Sequence, residues 1–255
     1  MTRYCYVFGA AALPRPSSAE DHRDTFILGA YPSAIHVKWM PTGLRPISAV
    51  AVANEPETFW EGNDEANQIL LWRQSIRWNP DWGEVQSAKR LNGSSGVWLR
   101  DNVLTPLHLN RSATWITDCL DIYHESKSAA ARLDSREFRR FMEQHRVPDR
   151  ELPHHPTESQ IVEDAQRQRI SSELRECRPA RVVTLGNAAL RVFNGLLEQP
   201  ASIDKLSPTR SYGRPFSVRT SDGLSVEWIP LAHPAAPAPY QEAHVRWKDL
   251  IRRAA

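Results

Sequence analysis

Four short apolar runs are spread along the chain, and each of them ends in glycine, proline or polar residues. They cover residues 25–28, 115–117, 181–185 and 226–231. Short apolar runs bounded by turn residues are typical of strands that are buried on both faces. We therefore predict that these runs form a mostly parallel sheet of about four strands.

Between these strands, apolar residues recur at the spacing of amphipathic helices. Helices are predicted over residues 64–76, 83–91, 157–178, 187–197 and 240–253. A further β-rich run covers residues 47–53, whereas the Gly- and Ser-rich stretch 92–96 is expected to be a loop. Strands that alternate with helices indicate an α/β fold, here a three-layer α/β/α arrangement around the sheet.

Residues 125–156 are the most polar part of the chain and follow the second apolar run. One helix is predicted inside this stretch, over residues 135–145. We interpret the stretch as a polar insertion in a single domain that spans residues 1–255. Its arginines could contact phosphate groups, although their acidic neighbours make a solvated face the simpler interpretation.

The chain has 255 residues, of which 41% are hydrophobic, so it can bury a full core. Its 32 basic and 30 acidic residues nearly cancel, to a net charge of +2. Such a balance neither demands nor excludes a polyanionic partner. Any nucleic-acid surface must therefore be a local patch.

The three cysteines, Cys5, Cys119 and Cys177, include no Cys-x-x-Cys pair. Their number and spacing argue against a disulfide framework, a zinc knuckle and a four-cysteine iron–sulfur site. No stretch approaches the roughly 20 apolar residues of a membrane span, and the N-terminal residues lack the pattern of a signal peptide. We expect a cytoplasmic protein without a membrane partner.

The carboxyl ends of parallel strands meet at one edge of a sheet, which is where open α/β folds bind their ligands. Four side chains follow the predicted strands at this edge: Tyr31, Asp118, Asn187 and His233. An imidazole there can stabilise negative charge that develops on a leaving group. His233 can equally order the turn before Pro234, and Asp118 can be a solvated carboxylate at a strand end.

Four motifs at these strand ends, in this order, resemble those of the uracil-DNA glycosylase superfamily. The motifs are Gly29-Ala30-Tyr31-Pro32, Ile116-Thr117-Asp118, Leu185-Gly186-Asn187 and His233-Pro234-Ala235. They span the chain from Leu28 to about Trp247. The resemblance implies a three-layer fold and an enzyme that flips a base out of double-stranded DNA and hydrolyses its N-glycosidic bond.

The resemblance also implies roles for individual residues. His233 would stabilise the leaving base, while Gly29, Tyr31 and Asp118 would contact it. Among the tryptophans, Trp39 is a candidate for stacking on the base, because its context is loop-like. The residues expected to contact the DNA backbone, or to fill the space of the flipped nucleotide, are Ser33, Gly186, Asn187, Ala235 and Tyr240.

Asp118 departs from the superfamily, which has a base-reading asparagine at this position. A carboxylate only accepts hydrogen bonds, so Asp118 suits the N4 amino group of a cytosine-type base. Asp101 is its rival for the base-reading role, because it lies in a stretch similar to the second motif of the main uracil-excising branch. We prefer Asp118 because it ends a cleaner apolar run.

The first motif also departs, because Ala30 and Tyr31 stand where the superfamily has a residue that directs water. Glu55 and Asp64 are candidates for directing the water in their place. Alternatively, the reaction relies on electrostatic stabilisation with weak water activation. A site that no longer catalyses is the third interpretation.

We therefore expect a monofunctional DNA glycosylase that uses water and neither a metal nor a cofactor. No lysine that could form a Schiff base follows any of the four strands. The expected substrate is a modified cytosine-type base, as in a bacterial anti-phage branch that acts on glucosylated hydroxymethylcytosine. The alternatives are a uracil-DNA glycosylase of base-excision repair and a catalytically silent protein that binds DNA or nucleotides. We expect a monomer.

Overall fold

The computed structural model describes residues 4–14, 23–88 and 90–254, with the side chains of residues 158, 159 and 254 left out. Within this range the chain forms two compact units. The first unit draws on Met1–Arg15, Pro32–Gly96 and Ile122–His155, and the second on Pro16–Tyr31, Val97–Asp121 and Pro156–Ala255.

Both units contain strands and helices. The strands are β1 (Thr25–Gly29), β2 (Ala34–Met40), β3 (Ile47–Asn54), β4 (Glu84–Ser87), β5 (Thr114–Asp118), β6 (Arg181–Leu185), β7 (Phe216–Arg219) and β8 (Ser225–Leu231). The α-helices are α1 (Glu65–Ser75), α2 (Ser94–Leu99), α3 (Lys127–Leu133), α4 (Arg136–Gln144), α5 (Glu158–Ile161), α6 (Asp164–Cys177), α7 (Asn187–Asn194) and α8 (Ala238–Ala254). A π-helix covers Arg100–Leu104, and short 3-10 helices cover Val7–Gly9, Pro80–Trp82 and Arg111–Ala113.

The second unit is built on a five-stranded, mostly parallel sheet. Its strand order is β5-β1-β6-β8-β7, and β7 pairs antiparallel with β8 while the other pairs are parallel. Every residue of β1 and β5 is buried, which explains why these strands are nearly continuous apolar runs. The predicted α/β class with four parallel strands is confirmed, and β7 adds an antiparallel edge. The architecture is compatible with a three-layer α/β/α fold.

One face of this sheet packs on the helices α6 and α7. Strand side chains alternate between the two faces. The strand residues in this core include Phe26, Trp115, Val182 and Trp228. Buried residues of α6 and α7 in the same core include Ile170, Leu174, Ala189 and Phe193. The packing therefore holds the four parallel strands, and with them their carboxyl ends, against the two helices.

The first unit contains a three-stranded antiparallel sheet in the order β3-β2-β4. The predicted β-rich run over residues 47–53 is confirmed as β3. The predicted helix over residues 83–91 is wrong, because this stretch contains β4, whose residues alternate between exposed and half-buried. The predicted loop over residues 92–96 is wrong at its end, because α2 begins at Ser94.

The remaining predicted helices are confirmed as α1, α4, α7 and α8, with small shifts at their ends. The helix predicted over residues 157–178 is divided into α5 and α6. Thr157 and Gln160 form a capping box at the start of α5, and the extended backbone of Glu163 separates the two helices. Within the described ranges, every helix is too short or too polar to span a bilayer.

The polar segment 125–156 contributes to the core of the first unit. Its helices α3 and α4 bury Leu133, Phe138, Phe141 and Met142. The rings of Phe138 and Phe141 lie 5.9 and 5.7 Å from that of Trp39 in β2. The segment is therefore part of the core on one side, while arginines such as Arg136 and Arg140 are exposed.

Replacement of Phe138 by alanine tests this packing. Phe138 is 1% exposed, so Phe138→Ala should lower the free energy of unfolding by about 3–5 kcal/mol through lost burial and a residual cavity. Urea denaturation followed by circular dichroism measures the change. The exposed Glu143 offers a matched control on the same helix, because Glu143→Ala should change the free energy by less than about 0.5 kcal/mol. Equal effects of the two substitutions would show that the segment adds nothing to the core.

Candidate active site

The strand ends of the second unit lie side by side at the carboxyl edge of its parallel sheet. β5 and β1 are paired so that Asp118 lies opposite Gly29. β1 is also the neighbour of β6, which in turn pairs with β8, and adjacent strands are about 4.8 Å apart. Tyr31, Gly186 and His233 follow β1, β6 and β8, so the sheet brings them to one edge with Asp118.

His233 has one defined tautomer when its ring is neutral. The backbone N–H of Ala235 donates to Nδ1 of His233 over 3.2 Å, so the proton of the neutral imidazole lies on Nε2. Burial lowers the pKa of His233 below its ordinary value of 6.5. The neutral form therefore prevails at pH 7. Within the described residues no hydrogen bond engages Nε2, whose N–H can donate to a ligand.

Gly186 allows His233 to approach the end of β6 closely. Its φ of 93° lies in the left-handed region that favours glycine. A Cβ atom at this position would stand 3.2 Å from the Cβ of His233. The backbone N–H of Gly186 also donates to the carbonyl of Leu231 over 2.8 Å, beside the histidine. Close packing of His233 against the end of β6 therefore requires glycine at position 186.

Asp118 ends β5 as a buried carboxylate that is 5% exposed. Its backbone carbonyl accepts a hydrogen bond from Arg169 of α6, which also donates to the carbonyl of Cys119 over 2.9 Å. Arg169 forms an ion pair with Glu173, and the Glu173 carboxylate accepts from the indole N–H of Trp115 over 3.0 Å. This chain of contacts fixes the end of β5 and therefore the position of Asp118.

Arg169 and Glu173 were not identified from the sequence. Their i,i+4 spacing on a helix was visible there, but such pairs are common on solvated helix faces. The burial of Glu173, at 6% exposure, distinguishes this pair, and burial of a charged residue leaves no signal in the sequence.

Tyr31 is the aromatic residue at this sheet edge. Its ring lies 6.0 Å from the ring of His233, at an interplanar angle of 33°. Burial raises the pKa of Tyr31, and the charge of Asp118 raises it further. The phenol is therefore neutral at pH 7 and lies within the electrostatic reach of the Asp118 carboxylate.

Asp101, the rival base-reading residue, lies on the π-helix Arg100–Leu104. Its side chain is 53% exposed and accepts a hydrogen bond from Nε of Arg100 over 2.8 Å. Asp118 is nearly buried and ends a strand of the sheet. The more exposed carboxylate, Asp101, is the weaker candidate for reading a base, because water screens its hydrogen bonds more strongly.

Several residues of the second unit that were expected to contact DNA already make hydrogen bonds within the protein. The side-chain carbonyl of Asn187, at the start of α7, accepts from the N–H of Leu206 over 2.9 Å. The hydroxyl of Tyr240 donates to the carbonyl of Leu206, also over 2.9 Å. Ala235 is exposed, but its N–H is engaged by His233. Tyr240 belongs to α8, which begins at Ala238, so of these two residues only Ala235 lies in the turn after β8.

Three of the predicted site residues, Ser33, Trp39 and Glu55, belong to the first unit. Trp39 is 0% exposed in β2, and its indole N–H donates to the carbonyl of Trp82 over 2.7 Å. The prediction that Trp39 stacks on a base is therefore wrong, because no part of its ring is accessible. Glu55 is a buried carboxylate, 4% exposed, that follows β3. Ser33 is half-buried and precedes β2.

A cavity of about 160 Å³ adjoins His233 in the second unit. In its wall, the hydroxyl of Tyr212 contacts Nδ1 of His244 at 2.6 Å, and Nε2 of His244 contacts the carbonyl of Asn102 at 2.9 Å. Because a carbonyl only accepts, Nε2 carries the proton and Tyr212 donates to Nδ1. Burial lowers the pKa of His244 to about 4, so this chain of hydrogen bonds is neutral. It anchors α8 next to the His233 turn.

The carboxylate Asp118 ends β5, whereas the imidazole of His233 follows β8. Among the described residues, no cluster of three or more His, Cys, Asp and Glu side chains is arranged to hold a metal ion. The side chains of Tyr31, Asp118 and His233 are the candidate functional groups at this sheet edge.

Comparison with known proteins adds no relatives. No family model matches the chain, and no curated protein matches it. A functional assignment must therefore rest on the residues at this sheet edge and on their geometry.

The buried histidines predict how stability depends on pH. Burial lowers the pKa of His36 and His244 to about 4 and also lowers that of His233. The unfolded chain protonates these groups near pH 6.5 and so binds more protons than the folded chain between about pH 6.5 and 4. The free energy of unfolding should be fully retained above pH 6.5 and should fall by more than about 1 kcal/mol towards pH 4.

Urea denaturation at constant ionic strength measures this dependence. The His244→Asn substitution should flatten the decrease, because it removes one group whose protonation is coupled to unfolding. The exposed His154 provides the control, and His154→Asn should leave the slope unchanged. A stability that rises on acidification would contradict the predicted neutral state of the buried rings.

Proposed function

We propose that the protein is a monofunctional DNA glycosylase that hydrolyses the N-glycosidic bond of a flipped, modified cytosine-type base and leaves an abasic site. One observation carries this proposal. A buried carboxylate, Asp118, and a neutral imidazole donor, His233, lie at the same sheet edge, together with the ring of Tyr31. The ordered strand-end motifs, which resemble those of the uracil-DNA glycosylase superfamily, support it.

His233 is the proposed catalytic residue for departure of the base. When the bond between base and sugar breaks, negative charge develops on the base, and its carbonyl oxygen becomes a stronger acceptor. Nε2–H of His233 can donate to that oxygen, since Nδ1 is already occupied by Ala235 N–H. A donor fixed before the reaction needs no reorganisation in the transition state, which is the condition for effective electrostatic catalysis.

Asp118 is the proposed base-reading residue. An ionised carboxylate only accepts hydrogen bonds, and a cytosine-type base offers the N4 amino group as a donor. A cytosine protonated at N3 offers two donors and is also a better leaving group. Uracil presents a carbonyl at the same place, where it would face the carboxylate as a second acceptor. This mismatch supports a cytosine-type base over uracil.

Tyr31 and Glu55 complete the proposed assignment. The ring of Tyr31 is half-buried next to His233 and offers a surface on which a flipped base can stack. Glu55 remains our proposal for the residue that directs water, on the sequence alone, because Ala30 and Tyr31 cannot supply a carboxylate. A 5-substituted cytosine such as the glucosylated hydroxymethyl base of phage DNA is the proposed substrate, and defence against phages the proposed setting.

A catalytically silent protein that binds DNA or nucleotides is the second candidate. It is favoured by Ala30 and Tyr31, which stand where a water-directing residue is expected from the resemblance. In that case this sheet edge would still recognise a base but would not hydrolyse its N-glycosidic bond. The two candidates share the same residues and differ in whether an abasic site is formed.

Duplex oligonucleotides with a single test base distinguish these functions. The bases are uracil, cytosine, hydroxymethylcytosine and glucosylated hydroxymethylcytosine, and the readout is an alkali-labile break at the test position. Breaks at a modified cytosine support the proposal. Breaks at uracil alone would support the repair alternative, and no break in any duplex would favour the silent protein.

The His233→Ala substitution should lower the single-turnover rate of base release by at least about tenfold, because it removes the donor to the developing charge. His233→Gln keeps an N–H donor and should retain more of the rate than the alanine variant. The exposed His154→Ala is the matched control and should release the base at the normal rate. A near-normal rate in a folded His233→Ala protein would remove this residue from the mechanism.

The Asp118→Asn substitution should change the preference for the base. Its amide adds a donor that suits the carbonyl of uracil, so activity on the cytosine-type base should fall while activity on uracil appears. Rates on the two duplexes measure the change. Asp101→Asn is the matched control on the exposed rival carboxylate. If only the control changed the preference, the base-reading role would pass to Asp101.

A further inference from the structure

The first unit has an open groove of about 890 Å³ along α4. One side is formed by Thr42, Leu44 and Arg45, which lie between β2 and β3. The other side is formed by α4 and its ends, with the polar and aromatic residues Ser135, Arg136, Glu137, Arg140, Phe141 and His145. We call this the α4 groove.

Four of the six arginines in the polar segment fall into two groups. Arg139 and Arg150 are tied into an acidic network, in which Arg150 contacts Glu125 at 2.6 Å and Asp134 at 3.0 Å. Arg136 and Arg140 face the α4 groove instead and, within the described part of the chain, form no ion pair. They are exposed and one helical turn apart, which is about 6 Å along the axis.

The charge of the α4 groove is strongly basic. Three guanidinium groups line it, and Glu137 supplies the one carboxylate among its described lining residues. That carboxylate accepts from Nε of Arg45 over 3.1 Å, and the Arg45 side chain is 78% exposed. Two arginines therefore keep their full donor capacity, and the third is held in place at the opposite side.

Ser135 adds a neutral hydrogen-bonding group. It precedes α4, yet its side chain does not cap the helix. Its Oγ is buried and has no hydrogen-bond partner within the described residues. Ser135 therefore keeps unused hydrogen-bonding capacity at the edge of the basic groove.

We propose that the α4 groove binds the phosphodiester backbone of a nucleic-acid strand. Arginine donates two parallel N–H groups to phosphate oxygens, which suits Arg136 and Arg140. The groove is far larger than a single phosphate group, and its arginines are spread along a helix and on the opposite side, as binding of successive phosphates requires. The choice of DNA as the strand rests on the proposed function, whereas affinity for a phosphate backbone rests on the charges of the groove.

Binding of unmodified duplex DNA tests this proposal without base excision. The double substitution Arg136→Gln/Arg140→Gln removes two charges from the α4 groove. The affinity at low salt, measured by fluorescence anisotropy, should fall about tenfold, and the slope of log K against log salt should decrease by about 1 to 2. Arg252→Gln/Arg253→Gln removes the same charge from exposed positions on α8 and should change both quantities much less.

The Glu137→Gln substitution should raise the affinity for DNA, whereas the double arginine substitution should lower it. Glu137→Gln removes the carboxylate of the α4 groove and frees Arg45, so the affinity for the same duplex should rise by about twofold or more. An increase is informative because partial unfolding cannot produce it. Thermal unfolding of each variant verifies that the exposed substitutions leave the fold intact.

Equal affinities and salt slopes for the α4-groove and α8 double variants would overturn the proposal, and so would unchanged affinity in Glu137→Gln. The proposal would also be overturned if the Arg136→Gln/Arg140→Gln variant lost binding to heparin but kept its affinity for DNA. The groove would then bind polyanions of another shape. These outcomes do not depend on hydrolysis. A protein that excises no base can still bind DNA through the α4 groove. If the groove does not bind DNA, the glycosylase assay can still detect base excision.

Discussion

Parallel pairing of β1 with β5 on one side and β6 on the other is the constraint on which the second unit depends. Both faces of β1 are buried, so a shift of one residue in its register would turn its whole set of side chains to the opposite face. The cost of such a shift fixes Gly29 opposite Asp118. The position of Asp118 at the sheet edge is thereby determined by the apolar packing of the strands.

The sheet of the second unit could be predicted because its strands are buried on both faces and therefore leave continuous apolar runs. The first unit has half-buried antiparallel strands, whose signal is weaker. β2 contains His36 and Lys38 between apolar residues, and β4 is only four residues long, with Val85 as its one aliphatic side chain. A run this short fits a helix as well as a strand, and pairing with β2 decides the outcome.

The residues of the candidate site could be placed at one sheet edge because they follow directly on predicted strands. The sequence did not reveal backbone contacts such as those of Arg169, nor the burial of Trp39. Arg169 acts through backbone carbonyls, and every residue has one, so its contact with the end of β5 leaves no trace in residue types. Trp39 was misplaced because a tryptophan in a polar context suggested an accessible loop, whereas alternation in β2 turns it into the core.

The hydrogen bond from Ala235 N–H to His233 has a consequence for molecular discrimination. With Nδ1 occupied, the neutral ring offers a ligand only its Nε2–H. An oxygen acceptor at that point is satisfied, whereas an amino group would confront one donor with another. An unmet hydrogen bond of this kind costs about 1–3 kcal/mol when buried. For any ligand held at this position, the turn after β8 would favour an oxo group over an amino group.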